Sequence, residues 1–334
     1  MMKTALTELL QIKYPIIQAP IGSATSPELA AAVSNAGGLG TLALSWQNLE
    51  ITRQYIRTTK SLTQKPFAVN LVLNCAQDER IQICIEEKVP IILFFWGDSS
   101  PYIDALKNHQ ILIGQTVGNA DEAVHYAQKG IDFIIAQGWE AGGHVWGTVA
   151  TSVLIPSIAD KLNIPIVAAG GIADGRGILA ALSLGASGVS LGTRFLMSKE
   201  ANVDPIYQEK IMNAKENDTT YLQNVFNIGW DNAPHRVIKN STVTAWNKAG
   251  MPKPGSRPNE DEVIAHNKAG KPIIRYSDDG PISGTKGNLE ALALYAGQTV
   301  GLINDVKSAS QIIADLMTEL DAAFNSLQHK YSVR

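Results

Sequence analysis

Phe133-Ile134-Ile135-Ala136-Gln137-Gly138-Trp139-Glu140-Ala141-Gly142-Gly143-His144 begins as an apolar run and ends in two glycines and an imidazole, with a carboxylate close by. Four apolar residues without polar alternation read as a strand buried on both faces, the kind that parallel sheets contain. Glycine-rich, polar sequence where such a strand ends reads as a loop at its carboxyl end. Gly142 and Gly143 have no Cβ, so the backbone there can approach a ligand closely and adopt positive φ. His144 is then tethered beside whatever the glycines touch. Taken alone, a carboxylate and an imidazole on a turn suit a structural hydrogen-bonded corner as well as a catalytic one.

Working outward, short β-rich runs alternate with longer amphipathic ones. Strands are predicted at 16–19, 38–44, 67–73, 91–96, 112–116, 133–137, 166–169 and 188–191. Helices are predicted between them at 27–35, behind a Ser26 cap, and at 48–60, 78–87, 101–108, 120–129, 153–162 and 177–184. Eight apolar strands, most of them followed by a helix, favour a closed α/β barrel, the (β/α)8 TIM barrel, over an open doubly wound sheet. From 230 to 287 prolines, glycines and charges interrupt the pattern. This stretch reads as an irregular cap over one barrel mouth, with 1–229 and 288–334 forming the barrel and its closing helices. Helical periodicity returns from Leu289 and again from Ser308.

Composition narrows the function. A net charge of -3 over 334 residues offers no broad basic field for nucleic acid or an anionic membrane. Cys75 and Cys84 lack CxxC spacing and a nearby His pair, so buried thiols in a reducing compartment are expected and no metal site is visible. The first 14 residues hold too little apolar length for a signal peptide, and the longest apolar run, 89–96, falls far short of a membrane span. A cytoplasmic location is expected. The sequence leaves assembly into a homo-oligomer open.

Barrels of this kind place their sites at the carboxyl ends of the strands. Those positions here are Pro20, Ile21 and Gly22 after the first strand, Asn70 in the third, Gln115 in the fifth and Gln137 to His144 around the end of the sixth. The seventh strand ends in Gly170 and Gly171, and the eighth, with Ser190 and Leu191, ends in Gly192 and Thr193. Glycine turns after the last two strands suit phosphate binding through backbone N–H groups. Asn70 and Gln115 can read the edge of a planar ring, or satisfy other polar groups inside the barrel. Glu140 either orients His144 or caps a loop. Of the other histidines, only His235 and His266 lie in the cap, where they can approach the site.

Gln18-Ala19-Pro20, the run Ala31 to Gly40, Gln137 to His144, Ala168 to Ala173, Leu191 to Phe195 and Tyr295 to Leu302 together resemble the nitronate monooxygenase family, formerly called 2-nitropropane dioxygenases. The likeness spans nearly the whole chain. It implies a barrel that binds flavin mononucleotide (FMN), with Asn70, Gln137 and Gly142 contacting the flavin. Gly171 and Ser190 to Thr193 would hold the phosphate end, and His144 would be the catalytic histidine. The activity implied is oxidation of alkyl nitronates, and of nitroalkanes where the neutral form is accepted, by dioxygen to a carbonyl compound and nitrite. Two departures bear on substrate: Ile21 stands where the family commonly has methionine, and Val145-Trp146-Gly147 follows His144 instead of a basic residue and glycine. The alternatives are an NAD(P)H-dependent flavin reductase of quinones or enoyl thioesters on the same barrel, and a non-catalytic barrel binding a phosphorylated metabolite.

Overall fold

Eight parallel strands enclose the centre of the molecule, whose residues 3–331 are described by a computed structural model. In chain order the strands are β1 (Ile16–Gln18), β2 (Gly40–Ala43), β3 (Phe67–Val72), β4 (Ile91–Phe95), β5 (Leu112–Val117), β6 (Phe133–Gln137), a two-residue β7 (Gly143–His144) outside the barrel, β8 (Ile166–Ala169) and β9 (Gly188–Leu191). The barrel strands run in the order β1-β9-β8-β6-β5-β4-β3-β2. The two ends of that order meet, because Gln18 N donates to Leu39 O and Leu39 N to Ile16 O, both at 2.9 Å. Backbone pairing is thin at this seam. The Gln18 side-chain carbonyl extends it by accepting from Thr41 N at 2.9 Å.

Alternation along each strand divides the core in two. Ile17, Leu39, Ala68, Leu93, Phe133, Ile135 and Val167 fill the barrel, together with Leu6 and Leu10 of the helix Ala5–Leu10 that plugs one end. Ile16, Val69, Ile92, Ile134, Val189 and Leu191 face the surrounding helices. Fully burying such a side chain contributes roughly 1.5–3 kcal/mol, so the interior is a packed core and not a channel. A Cβ on Gly114 would lie 2.5 Å from Phe133 Cζ, and one on Gly188 2.4 Å from Leu6 Cδ2, so glycine there makes room for the large inner residues.

The outer helices start at side-chain caps: Ser26 Oγ accepts from Leu29 N, Asn48 from Ile51 N, Asn119 from Glu122 N and Asp174 from Gly177 N. Beyond β9 the chain leaves the barrel pattern. It forms β10 (Thr219–Leu222) and β11 (His235–Ile238), which join β7 in an antiparallel sheet of order β10-β11-β7. A second small sheet contains β12 (Val263–His266), β13 (Pro272–Ile274) and β14 (Lys286–Gly287), in the order β13-β12-β14. The stretch expected to be irregular thus holds ordered strands. Pro272 is compatible with them because it is the first residue of an edge strand, where no ladder donor is needed. The helix expected from Leu289 is instead two short 3-10 turns, Leu289–Ala291 and Gln298–Leu302.

The chain returns to the barrel in the helix Ala309–Tyr331, which packs on the helices Gly175–Ser183 and Pro27–Asn35. A Cβ on Gly175 would meet Leu320 N at 2.1 Å, so that glycine sets how closely two of these helices approach. Among the described residues, no helix is long and apolar enough to cross a membrane.

Candidate active site

The loop after β6 is folded back on itself by its own residues. The Gln137 amide donates to His144 O at 3.0 Å and accepts from Trp146 N at 2.9 Å, which fixes the turn that presents His144. Gly142 packs so tightly that a Cβ would lie 2.2 Å from Gly297 N. Gly297 N donates to Thr193 Oγ1 at 3.0 Å, and Gln298 N to Glu140 O at 3.1 Å. The loops after β6 and β9 are thereby tied to one C-terminal segment. Of the two readings of Glu140, the cap holds: its carboxylate accepts from both the backbone N–H and the hydroxyl of Thr151, each at 3.0 Å, where the helix Thr151–Ala159 begins.

In β7, His144 lies opposite His235 and Gly143 opposite Arg236 of β11. The His144 ring is enclosed by aromatics: Trp230 with ring centroids 4.0 Å apart, Tyr295 at 5.3 Å, His235 at 5.8 Å and Trp96 at 6.0 Å. Its Nε2 is buried without a hydrogen-bond partner. Burial pushes the His144 imidazole down to about 3, and neighbouring His235 acts in the same direction. His235 is itself lowered by burial to about 4, and is held as one tautomer. Its Nδ1 lies 2.9 Å from Ala233 O and its Nε2 accepts from Phe226 N at 3.3 Å. The result is a neutral imidazole with its Nε2 unspent, set among aromatic rings.

Around those rings the expected rim residues divide. Asn70 lies on the inner face of β3 beside Ala68 and donates to Leu93 O at 3.0 Å. Ser190 pairs with inward Ile17. The Leu191 side chain lies in the helix-side core, so only its backbone reaches the rim. Gln115 requires a correction. It shares a face with Ile113 and Val117 and is paired with Phe94 and Ile134, all in the helix-side core. Its side chain therefore points away from the barrel interior, with Nε2 on Thr116 O and Oε1 unpartnered. Thr116 is the inward residue at that level, paired with inward Ile135.

Four rim glycines border uncrowded space, while a Cβ on Gly170 would lie 2.9 Å from Gly138 O. A Cβ on Gly22 (φ +54) or Gly143 (φ +74) would meet nothing within 4 Å, and at Gly171 (φ +73) and Gly192 the nearest atoms are 3.5 Å away. Gly170 has φ +97. Ile21 is the residue nearest that Gly192 position, and Ile21 N donates to Thr25 Oγ1, so the Pro20 to Gly22 turn borders the same rim. Backbone N–H groups at positive-φ turns, with Ser190 and Thr193 close by, form a donor set suited to an anion. Together with the unspent His144 nitrogen beside open Gly143, these residues fit a flavin. A surface groove of about 1000 Å³ between the outer helices Leu49–Leu62 and Asp78–Glu86 is remote from this rim, and the Arg53 on its wall is paired with Glu86 and Glu87.

The aromatic rings around His144 went largely unread in the sequence. Trp96 ends the strand predicted at 91–96, yet it has φ +60, a rare conformation for a bulky residue. Tyr295 lies in a segment that carries the family resemblance but had no stated role, and Arg236 and Thr116 carried no local signal, because distant segments bring them to the site.

Comparison with known proteins agrees with this geometry. The nitronate monooxygenase family profile matches residues 3–80 and 74–319. A Rhodococcus jostii protein named (3aS,4S,5R,7aS)-5-hydroxy-7a-methyl-1-oxo-octahydro-1H-indene-4-carboxyl-CoA dehydrogenase is 33% identical over 96% of this chain and 98% of its own length. A probable nitronate monooxygenase of Staphylococcus saprophyticus is 32% identical over 97% of this chain and 99% of its own. The solved structure of FabK from Thermotoga maritima superposes with a TM-score of 0.85 at 33% identity, covering 99% of this chain and 100% of that one. With full-length likeness, a shared barrel and a rim that fits a flavin, the chain belongs to the nitronate monooxygenase family and is a flavin-dependent oxidoreductase.

Proposed function

We propose that the protein binds FMN and oxidises alkyl nitronates with dioxygen, giving a carbonyl compound and nitrite. The observation that carries this reading is the neutral His144, whose buried Nε2 has no partner in the protein. Such a nitrogen has its hydrogen bond available for a substrate oxygen, and its aromatic surroundings strengthen that bond. An imidazole lowered to about 3 is a weak base, so the preformed nitronate is the better substrate and the neutral nitroalkane the poorer one. Bound flavin supplies the electron transfer between nitronate and dioxygen. Gln137, Gly142 and Gly297 hold the His144 loop in register, and Trp96, Trp230 and Tyr295 keep water from the reacting carbon.

The cofactor assignment rests on turns suited to one phosphate, at Gly170-Gly171 and at Gly192-Thr193. Heat denaturation of the yellow protein is expected to release free FMN; release of flavin adenine dinucleotide would contradict it. The segment 230–287 acts in this reading as a cap that controls substrate entry. Deleting the β12–β13 hairpin, which leaves Trp230 and β11 in place, is expected to keep flavin bound while raising KM.

A second reading is favoured by the likeness to a carboxyl-CoA dehydrogenase over nearly the whole chain. In it the flavin exchanges electrons with NAD(P)H and a thioester or quinone. Anaerobic mixing separates the two: bleaching by a nitronate and not by NADPH supports the first, and the reverse pattern overturns it.

A further inference from the structure

The mouth of the barrel carries more indole than a small aliphatic substrate needs. Trp46 and Trp230 lie with ring centroids 5.1 Å apart, Trp96 and Trp230 at 5.0 Å, and Trp96 and Trp146 at 4.8 Å. Two sides of this cluster are fixed. The Trp146 indole N–H donates to the Glu122 carboxylate at 2.8 Å. Trp96 is held at φ +60 beside Gly97, whose carbonyl accepts from Tyr126 Oη at 3.0 Å. The other side is built differently. Trp230 follows Gly229 (φ +119) on the excursion beyond the barrel; it is 6% exposed and packs against Val72, Ala233, Phe95 and Trp96, so only apolar contacts, and no hydrogen bond such as Glu122 gives Trp146, hold its indole. Trp46, its outer neighbour, is 52% exposed. In this arrangement the Trp230 ring leans over the His144 imidazole at 4.0 Å, so the surface beside the unspent nitrogen is already shaped to receive a flat ring.

We propose that Trp46, Trp96, Trp146 and Trp230 form a substrate slot beside His144. It selects nitronates whose reacting carbon carries an aromatic or flat cyclic group over short-chain alkyl nitronates. This rests on the nitronate reading above and names its substrate class. The ring of the substrate takes the place of Trp230 against His144, and Trp230 moves outward to cover it. Each aromatic face adds stacking to simple burial, enough for a several-fold preference per face.

The test uses the flavin-loaded protein with the anions of phenylnitromethane and nitroethane. The expected wild-type ratio of kcat/KM is at least about 10-fold in favour of the aryl substrate, by the usual worth of stacked pairs. Trp230→Ala, or Trp230→Leu where the alanine variant folds poorly, is expected to bring the ratio close to one. Equal use of both anions by the wild type, or an unchanged ratio in the Trp230 and Trp146→Ala variants, overturns the slot while leaving the nitronate reading intact. Where neither anion is oxidised, the nitronate reading fails and calorimetric titration with benzoate and acetate decides the slot. Tighter benzoate binding that is lost in Trp230→Ala supports it, and equal affinities sink it.

Discussion

His144 combines two properties that are seldom found together in a structural histidine: a buried ring nitrogen without a partner, and close aromatic neighbours that supply no hydrogen bond to it. If it hydrogen-bonds the substrate, His144→Ala is expected to keep flavin and fold, because the glycine turns remain, while turnover per bound flavin falls roughly 10²- to 10³-fold. Unchanged turnover per flavin, with weaker flavin binding, would make it a structural corner. Gly192 offers a cleaner probe than Gly171 of the turn proposed to hold the phosphate. Its φ is -100 and the nearest atom to a Cβ there is 3.5 Å away, so Gly192→Ala is expected to leave thermal stability nearly unchanged and weaken flavin binding. Undiminished flavin affinity in that variant would remove the turn from the site. At this scale the sequence was informative where chemistry is local: the glycines and His144 sit within a few residues of one strand end. It misled at Gln115, because the period-2 pattern of Leu112-Ile113-Gly114-Gln115-Thr116-Val117 is ambiguous about which residue faces inward. One step of register exchanges Gln115 for Thr116.

The ribbon of β7 and β11 couples the His144 loop to the excursion beyond β9. Its position depends on Gly142, which admits no side chain against Gly297. Gly142→Ala is therefore expected to push the C-terminal segment away, costing about 1–3 kcal/mol as overpacking does, and to lower activity per bound flavin. Chemical denaturation measures the first effect and steady-state rates the second; a variant as stable and active as wild type would show that the contact is relaxed. The barrel strands were legible because strands buried on both faces leave continuous apolar runs in the sequence. The strands β7 and β10 to β14 were not. They are two to four residues long, and β7 finds its partner some 90 residues away, beyond the reach of any local pattern.

For the whole molecule, burial of His144 and His235 links stability to acidity. Both folded pKa values, about 3 and about 4, lie below the ordinary 6.5, so the unfolded chain binds more protons between those values and 6.5. The stability these residues contribute is present above pH 6.5 and declines as pH falls toward 4 and 3. At pH 5 the decline is about 2 kcal/mol for each. Urea unfolding at pH 7 and pH 5 checks this: His144→Gln is expected to lose less stability than wild type over that interval, and an equal loss would refute the linkage. The barrel itself followed from counting alternating elements. Its thin seam between β1 and β2, closed in part by the Gln18 side chain, could not be read from any single strand.

The helix Ala309–Tyr331 packs against both the Pro27–Asn35 and Gly175–Ser183 helices, yet it is translated after the whole excursion that begins beyond β9. On the ribosome, the strands and most outer helices emerge first, while the groove awaiting this helix stays exposed. A nascent chain paused anywhere between Thr193 and Ala309 therefore presents open apolar surface along that groove, including the side of Gly175 that later receives Leu320. Chaperone capture during synthesis is expected to peak over that interval and to fall once the last helix docks.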